Sequence, residues 1–182
     1  MKTNQQTIHY TEVQRPNQIW IWAVVLGIAI MMWIGFIRQV VMGIPFGSNP
    51  GSDMQLTIFL VLFGIAFPIV MLGWLRLITE VRDDGVYVRF VPFHLSNRVF
   101  LFQDIKSYES LEYRPIKRFG GWGIRWNLSK EKAYSISGKH GVLIDVKGEK
   151  IMIGSREPDQ LVDVMRSRGD RCLVPLKRDI GE

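Results

Sequence analysis

The sequence predicts an α+β membrane protein: a two-helix transmembrane hairpin, then a barrel or sandwich of about seven antiparallel strands with one C-terminal helix. Three observations lead to this. Residues 19–37 and 56–75 are apolar runs without a single charged side chain. From Leu77 onward the hydrophobic period changes to two, broken at regular intervals by Gly and Asp turns. Beyond Gly154 a helical spacing returns over Leu161, Val164, Met165 and Arg168.

A chain of 182 residues has room for one modest soluble domain beside such a hairpin. Its net charge is +6, and residues 76–182 hold 20 of the 23 Lys and Arg and 15 of the 17 Asp and Glu. Both signs are interspersed there. That is the balance of a solvated surface near anionic lipid, and it argues against a nucleic-acid partner. A single cysteine, Cys172, excludes a disulfide framework and a thiolate metal site.

Residues 1–18 form an N-terminal cytoplasmic segment. Its alternating patch Ile8-His9-Tyr10-Thr11-Glu12-Val13 fits a short strand, an interfacial segment or a loose tail. The span 19–37 exceeds the usual apolar core of a signal peptide, about 7–15 residues, and no A-x-A site follows it. At 1.5 Å per residue, each run makes a helix of about 30 Å, the thickness of a bilayer's hydrocarbon core. Trp20 and Trp22 open the first span and Trp74 closes the second. In a hairpin these three anchors fall at one interface, as an aromatic belt requires. Ala23 and Gly27 have a small-xxx-small spacing that would let the second helix approach near Gly64 and Ala66. Pro68 is expected to bend the second helix locally.

Turn residues crowd the connection between the spans, from Ile44 to Asp53. Lys2, Arg15, Arg76, Arg82 and Arg89 flank the spans on one side and Arg38 alone on the other. The bias predicts a multi-pass protein of the plasma membrane with both termini cytoplasmic. The Asn127-Leu128-Ser129 sequon would then be hidden from glycosylation.

The soluble domain is expected over 76–169, with a tail over 170–182. Its first hairpin turns at Asp83-Asp84-Gly85, between Thr79–Arg82 and Val86-Tyr87-Val88-Arg89-Phe90. Further strands are expected over 97–102, 105–113, 120–126, 133–137, 142–146 and 150–153. Pro115 ends the fourth strand of this series. Ser155 or Glu157 can cap the final helix, Pro158 suits its first turn, and acids lie early and bases late.

About seven antiparallel strands followed by one amphipathic helix is the layout of pleckstrin-homology-like (PH-like) domains. The wording at Gly85-Val86-Tyr87-Val88-Arg89-Phe90, Phe102-Gln103-Asp104-Ile105-Lys106-Ser107-Tyr108-Glu109, Gly120-Gly121-Trp122-Gly123-Ile124-Arg125 and Ile151-Met152-Ile153-Gly154-Ser155-Arg156-Glu157-Pro158 resembles bacterial and archaeal PH-like membrane families. With the two spans and Glu12-Val13-Gln14-Arg15, residues 10–168 resemble an uncharacterised prokaryotic family of two-pass proteins with a C-terminal PH-like domain. The resemblance implies a fold and no activity.

The Gly-rich stretch 118–126 is the most distinctive soluble segment. Its backbone amides can cradle an anion, with Arg114, Lys117, Arg118 and Arg125 supplying charge for an anion or a lipid head group. The alternative is a bulge or tight barrel corner with Trp122 and Trp126 as packing. Phosphoinositide-binding PH domains place bases in the loop that here reads Arg82-Asp83-Asp84-Gly85, where two carboxylates repel phosphate. His9, His94 and His140 lack metal-ligand spacing, and no nucleophile motif or phosphate-binding loop occurs. No cofactor is therefore expected, and no ionisable residue interrupts either span as an ion pathway would require. The expected function is a membrane-tethered interaction module, not an enzyme, that engages a protein partner or anionic lipid at the cytoplasmic face. Two alternatives remain: a membrane enzyme or enzyme subunit with its site at 118–126, and a structural subunit of a membrane assembly.

Overall fold

A computed structural model describes residues 7–169. The tail expected over 170–182, with Cys172, and the basic Lys2 lie outside the described residues. The chain divides into two compact units. One is Pro16–Leu75, and the other combines the segments on either side of it.

The first unit holds two helices long and apolar enough to cross a membrane: α1 (Ile19–Val41, 23 residues) and α2 (Asp53–Trp74, 22 residues). Helix α1 is α-helical to Phe36 and widens to a π-helix over Ile37–Val41. Ser52 caps α2 in a reciprocal box with Gln55. Around Pro68 the helix is π-type over Leu60–Ala66 and Ile69–Trp74. A proline has no N–H and crowds the carbonyl four residues back, and a wider turn relieves both. Gln39 ties the connection together, donating to Gly51 O at 2.7 Å and Asp53 Oδ1 at 2.9 Å.

The expected close approach of the helices is shifted. Ala23 is exposed, and nothing lies within 4 Å of a Cβ placed on Gly27. The buried face of α1 carries Val25, Ala29 and Gly35. Gly64 is the near point on α2, where an added Cβ would stand 3.4 Å from Met32 Cβ. A helix face is selected by everything it packs against, so a two-residue spacing does not fix it.

The second unit contains nine strands among the described residues, in two sheets; no closed barrel is found. The first sheet runs β1-β2-β3-β4 and is antiparallel throughout: β1 (Ile8–Gln14), β2 (Arg76–Arg82), β3 (Gly85–Val91), β4 (Arg98–Leu101). The second runs β5-β8-β9-β7-β6: β5 (Ile105–Glu112), β6 (Gly123–Trp126), β7 (Lys132–Ser135), β8 (His140–Val146), β9 (Glu149–Gly154). The all-antiparallel expectation fails at one place, because β7 and β9 pair in parallel. The patch before α1 is a full strand, with Glu12 opposite Thr79 and Gln14 opposite Leu77. The unit expected to begin at residue 76 thus also takes in residues from before the helices.

Period-two alternation explains the core. Leu77, Val81, Val86, Val88 and Phe90 are buried, while Arg76, Ile78, Glu80, Tyr87 and Arg89 face outward between them. Gly85 permits β3 to touch β4, since a Cβ there would collide with the Phe100 carbonyl oxygen. Helix α4 (Pro158–Arg168) packs on β1, β2, β5 and β8. Leu161, Val162 and Met165 are its buried residues, so Val162 takes the place expected for the half-buried Val164. Ser155 Oγ accepts the Glu157 N–H at 3.1 Å ahead of the first turn.

Candidate functional site

Three of the four bases singled out in the sequence, Arg114, Lys117 and Arg118, lie on or beside one short helix, α3 (Pro115–Phe119), where no helix was expected, while Arg125 lies on β6. Pro115 suits its first turn, and five residues are too few to leave a periodic signature. Gly120 ends the helix in the left-handed conformation at φ 72°, with its N–H on Ile116 O at 2.9 Å. Gly121 and Gly123 also have positive φ and turn the chain into β6. The glycines therefore perform the backbone role of the corner reading.

Arg118 is committed to a carboxylate. Its Nε and Nη2 donate to Glu131 Oε2 and Oε1 at 2.9 and 3.0 Å. Asn127 Nδ2 also donates to Oε2 at 2.7 Å, and Asn127 Oδ1 accepts the Glu131 N–H at 2.9 Å. The 127–131 turn is thus closed around one bidentate ion pair. Burial pushes the Glu131 carboxyl up, but Arg118 and Asn127 outweigh it and hold its pKa below the ordinary range. Nothing adjacent in sequence marks Glu131. Its position after an Asn-Leu-Ser-Lys turn is the one available cue.

The other three bases are less constrained. Arg125 Nε donates to Trp122 O at 3.2 Å, and Trp122 Nε1 reaches Gly138 O at 2.8 Å. Lys117 and Arg114 are exposed. Lys117 stands between two open clefts. One, of about 770 Å³, lies between α3 and the 126–131 turn and includes Arg118, Trp126 and Leu128. The other, of about 510 Å³, includes Arg114, Ile116, Trp122 and Lys139. So Lys117 meets Arg118 in one cleft and Arg114 in the other, while Arg125 stands on β6. Ile116, Trp126 and Leu128 are exposed along the rims, and the Lys132 ammonium lies 4.9 Å from the Trp126 ring. Below them Tyr113, Phe119, Ala133, Leu143 and Met152 form a packed floor.

The Asp83-Asp84 turn is occupied from within the chain. Asp83 accepts the Thr7 N–H at 3.0 Å and pairs with His9 at 2.5 Å, and Asp84 accepts the Tyr87 hydroxyl. The hydrogen bond from His9, then that from Thr7, holds the Asp83 carboxyl below its usual range. Among the described residues no group of three or more His, Cys, Asp or Glu side chains could hold a metal ion. Trp20, Trp22 and Trp74 are all exposed, with Trp22 Nε1 donating to Pro16 O at 3.4 Å.

A comparison with protein families matches residues 1–169 to a family described as "Family of unknown function (DUF6141)". No curated protein and no solved structure matches the chain.

Proposed function

The chain belongs to the DUF6141 family of unknown function, and from that premise we propose that it is a membrane-tethered, PH-like interaction module engaging a protein partner or anionic lipid at the cytoplasmic face of the plasma membrane. The pairing of β1 with β2 carries this reading. Gln14, just before the first apolar helix, lies opposite Leu77, just after the second. If both helices cross a bilayer, a ladder joining their outer ends requires those ends to share one side. Arg15, Arg76 and Arg89 on that side, against Arg38 on the other, favour the cytoplasm. Trp20, Trp22 and Trp74 then belong to the same interface. A two-sheet unit with one C-terminal helix supports the PH-like reading. The α3 clefts supply the contact surface. Exposed Ile116, Trp126 and Leu128 beside Lys117 suit a partner offering apolar side chains and an acidic group.

Labelling of single cysteines in intact cells tests the tether. In a Cys172→Ser chain, Ser48→Cys should react with an impermeant maleimide and Leu128→Cys should not; external labelling of position 128 would overturn the topology. Pull-down of the full chain from native membranes, read by protein and lipid mass spectrometry, tests the partner. The proposal expects a protein lost on Lys117→Glu with Leu128→Ser, or enrichment of anionic lipid. Recovery of neither would refute it.

A further inference from the structure

The register of the first sheet brings a second set of residues together, away from α3. Arg76 follows Leu75 directly and pairs with Val91. Arg15 follows Gln14, the partner of Leu77, and so stands at the same edge. This is the edge from which the chain leaves for α1 and returns from α2. The β3–β4 loop begins there, immediately after Val91. It exposes two large apolar side chains, Phe93 at 62% and Leu95 at 97%. The loop is built rather than slack: His94 N–H donates to Phe90 O at 2.7 Å, and Phe90 N–H donates to His94 Nδ1 at 3.3 Å.

Charge at this edge is one-sided. From the rung of Val13, Ile78 and Arg89 outward, segments 13–18, 74–78 and 89–97 contain Arg15, Arg76 and Arg89 and no Asp or Glu. The Nε atoms of Arg76 and Arg89 are buried and have no hydrogen-bond partner among the described residues. Arg82, by contrast, lies at the opposite end of β2 and is held by Glu80 at 2.6 Å and by the Tyr87 ring. Buried donors are ordinarily matched by an acceptor. Apolar tips beside arginines that form no ion pair among the described residues, on the edge joined to two exposed apolar helices, suit the boundary where lipid phosphates meet acyl chains.

We propose that this edge is a lipid-binding surface, in which Phe93 and Leu95 insert among acyl chains while Arg15, Arg76 and Arg89 bind anionic head-group phosphates. This inference rests on the tethered reading above and assigns the lipid contact to this edge, leaving the α3 clefts for protein. The aromatic and aliphatic tips supply depth, and the arginines supply preference for anionic lipid. The acidic Asp83-Asp84 turn lies at the far end of the β2–β3 ladder and does not oppose it.

Spin labels on the full Cys172→Ser chain in vesicles test this, with oxygen reporting the lipid phase and a nickel chelate reporting water. A label at Leu95→Cys should collide more with oxygen than with nickel in phosphatidylglycerol-containing vesicles. That ratio should shift toward water in pure phosphatidylcholine, and also in anionic vesicles when Arg76→Gln and Arg89→Gln are combined. A label at Ile65→Cys in α2 reports the tether separately. If Ile65→Cys reads as lipid while Leu95→Cys reads as water, the lipid surface is refuted and the tether stands. If both read as water, the tether itself is refuted. A Leu95→Cys label shielded from both reagents would mean that protein covers the loop, and would overturn the proposal. An unchanged ratio in the double-Gln variant would overturn the phosphate role.

Discussion

Glu12 Oε2 accepts the Ser155 hydroxyl at 2.6 Å, joining the first strand to the corner that starts the last helix, 143 residues later. The same oxygen accepts Tyr10 Oη at 2.9 Å; Oε1 accepts the Arg156 N–H at 2.7 Å and Gln14 Nε2 at 3.0 Å. Gln14 Nε2 also reaches Gly154 O at 2.7 Å. Burial, and then Glu12 itself, push the Tyr10 hydroxyl well above the usual phenol range. Four donors from two distant segments thus converge on one carboxylate.

Glu12→Gln replaces an acceptor oxygen with an NH₂ group that faces donors. The expected loss is about 1–3 kcal/mol of stability, because a buried donor left without an acceptor costs that much. Chemical denaturation of the full chain in detergent, followed by tryptophan fluorescence, checks it. A midpoint equal to the parent's would show the clamp to be dispensable.

Leu161 is fully buried on α4 against the sheets. Truncation to Ala removes its packing and leaves a cavity, at about 2–5 kcal/mol. Val164→Ala, on the half-buried side of the same helix, should cost clearly less. Equal costs in the same denaturation assay would contradict the observed facing of α4.

Arg118 and Lys117 are neighbours with the same charge and different surroundings. Arg118→Gln should destabilise the chain by about 1–3 kcal/mol, since Glu131 loses both bonds to the guanidinium. Lys117→Gln should leave stability within about 0.5 kcal/mol, as an exposed substitution usually does. Thermal unfolding of the two variants side by side gives the comparison. The reverse order would mean that the Arg118–Glu131 pair contributes nothing.

His94 gives a pH dependence of definite sign. Burial first, then the charges of Arg98 and Lys132, holds its pKa below the ordinary imidazole value. Its Nδ1 accepts the Phe90 N–H, which requires that nitrogen to be unprotonated. The unfolded chain therefore takes up this proton at a higher pH than the folded one. Stability from this group is full above the unfolded value near 6.5 and is lost as pH falls from there toward the depressed folded value. Comparing parent with His94→Asn between pH 7.5 and 5 isolates this dependence, which the variant should lack. Parallel pH profiles would show that His94 contributes none of it.

What the sequence made legible was whatever is encoded locally. The apolar runs marked α1 and α2, alternation marked β2 and β3, and the Pro158 start with acids before bases marked α4. Longer-range features left no such trace. The alternation in 8–13 was visible, but nothing in it says that its partner lies beyond two helices. The parallel β7·β9 pairing is a choice among strands, invisible within either. Arg118 looked like a free base because Glu131 comes thirteen residues later, across a turn whose shape Asn127 sets. The edge arginines were counted for orientation alone, since only the register shows that Arg76, Arg89 and Phe93 share an end with Arg15.

The β1–β2 ladder also has a consequence in time. A chain is made from its N-terminus, so β1 leaves the ribosome before β2 and has no partner until β2 follows α2. At about 5–20 residues per second, the stretch from Gln14 to Leu77 takes roughly 3–13 s to synthesise. Throughout that interval β1 is an open edge, able to pair with any other extended strand it meets. Anything that slows passage of the second helix lengthens the wait, whereas a helper that shields residues 8–14 would remove the hazard. The Ser155–Glu12 bond closes later still, because Ser155 can reach Glu12 only in a chain that has been made through β9.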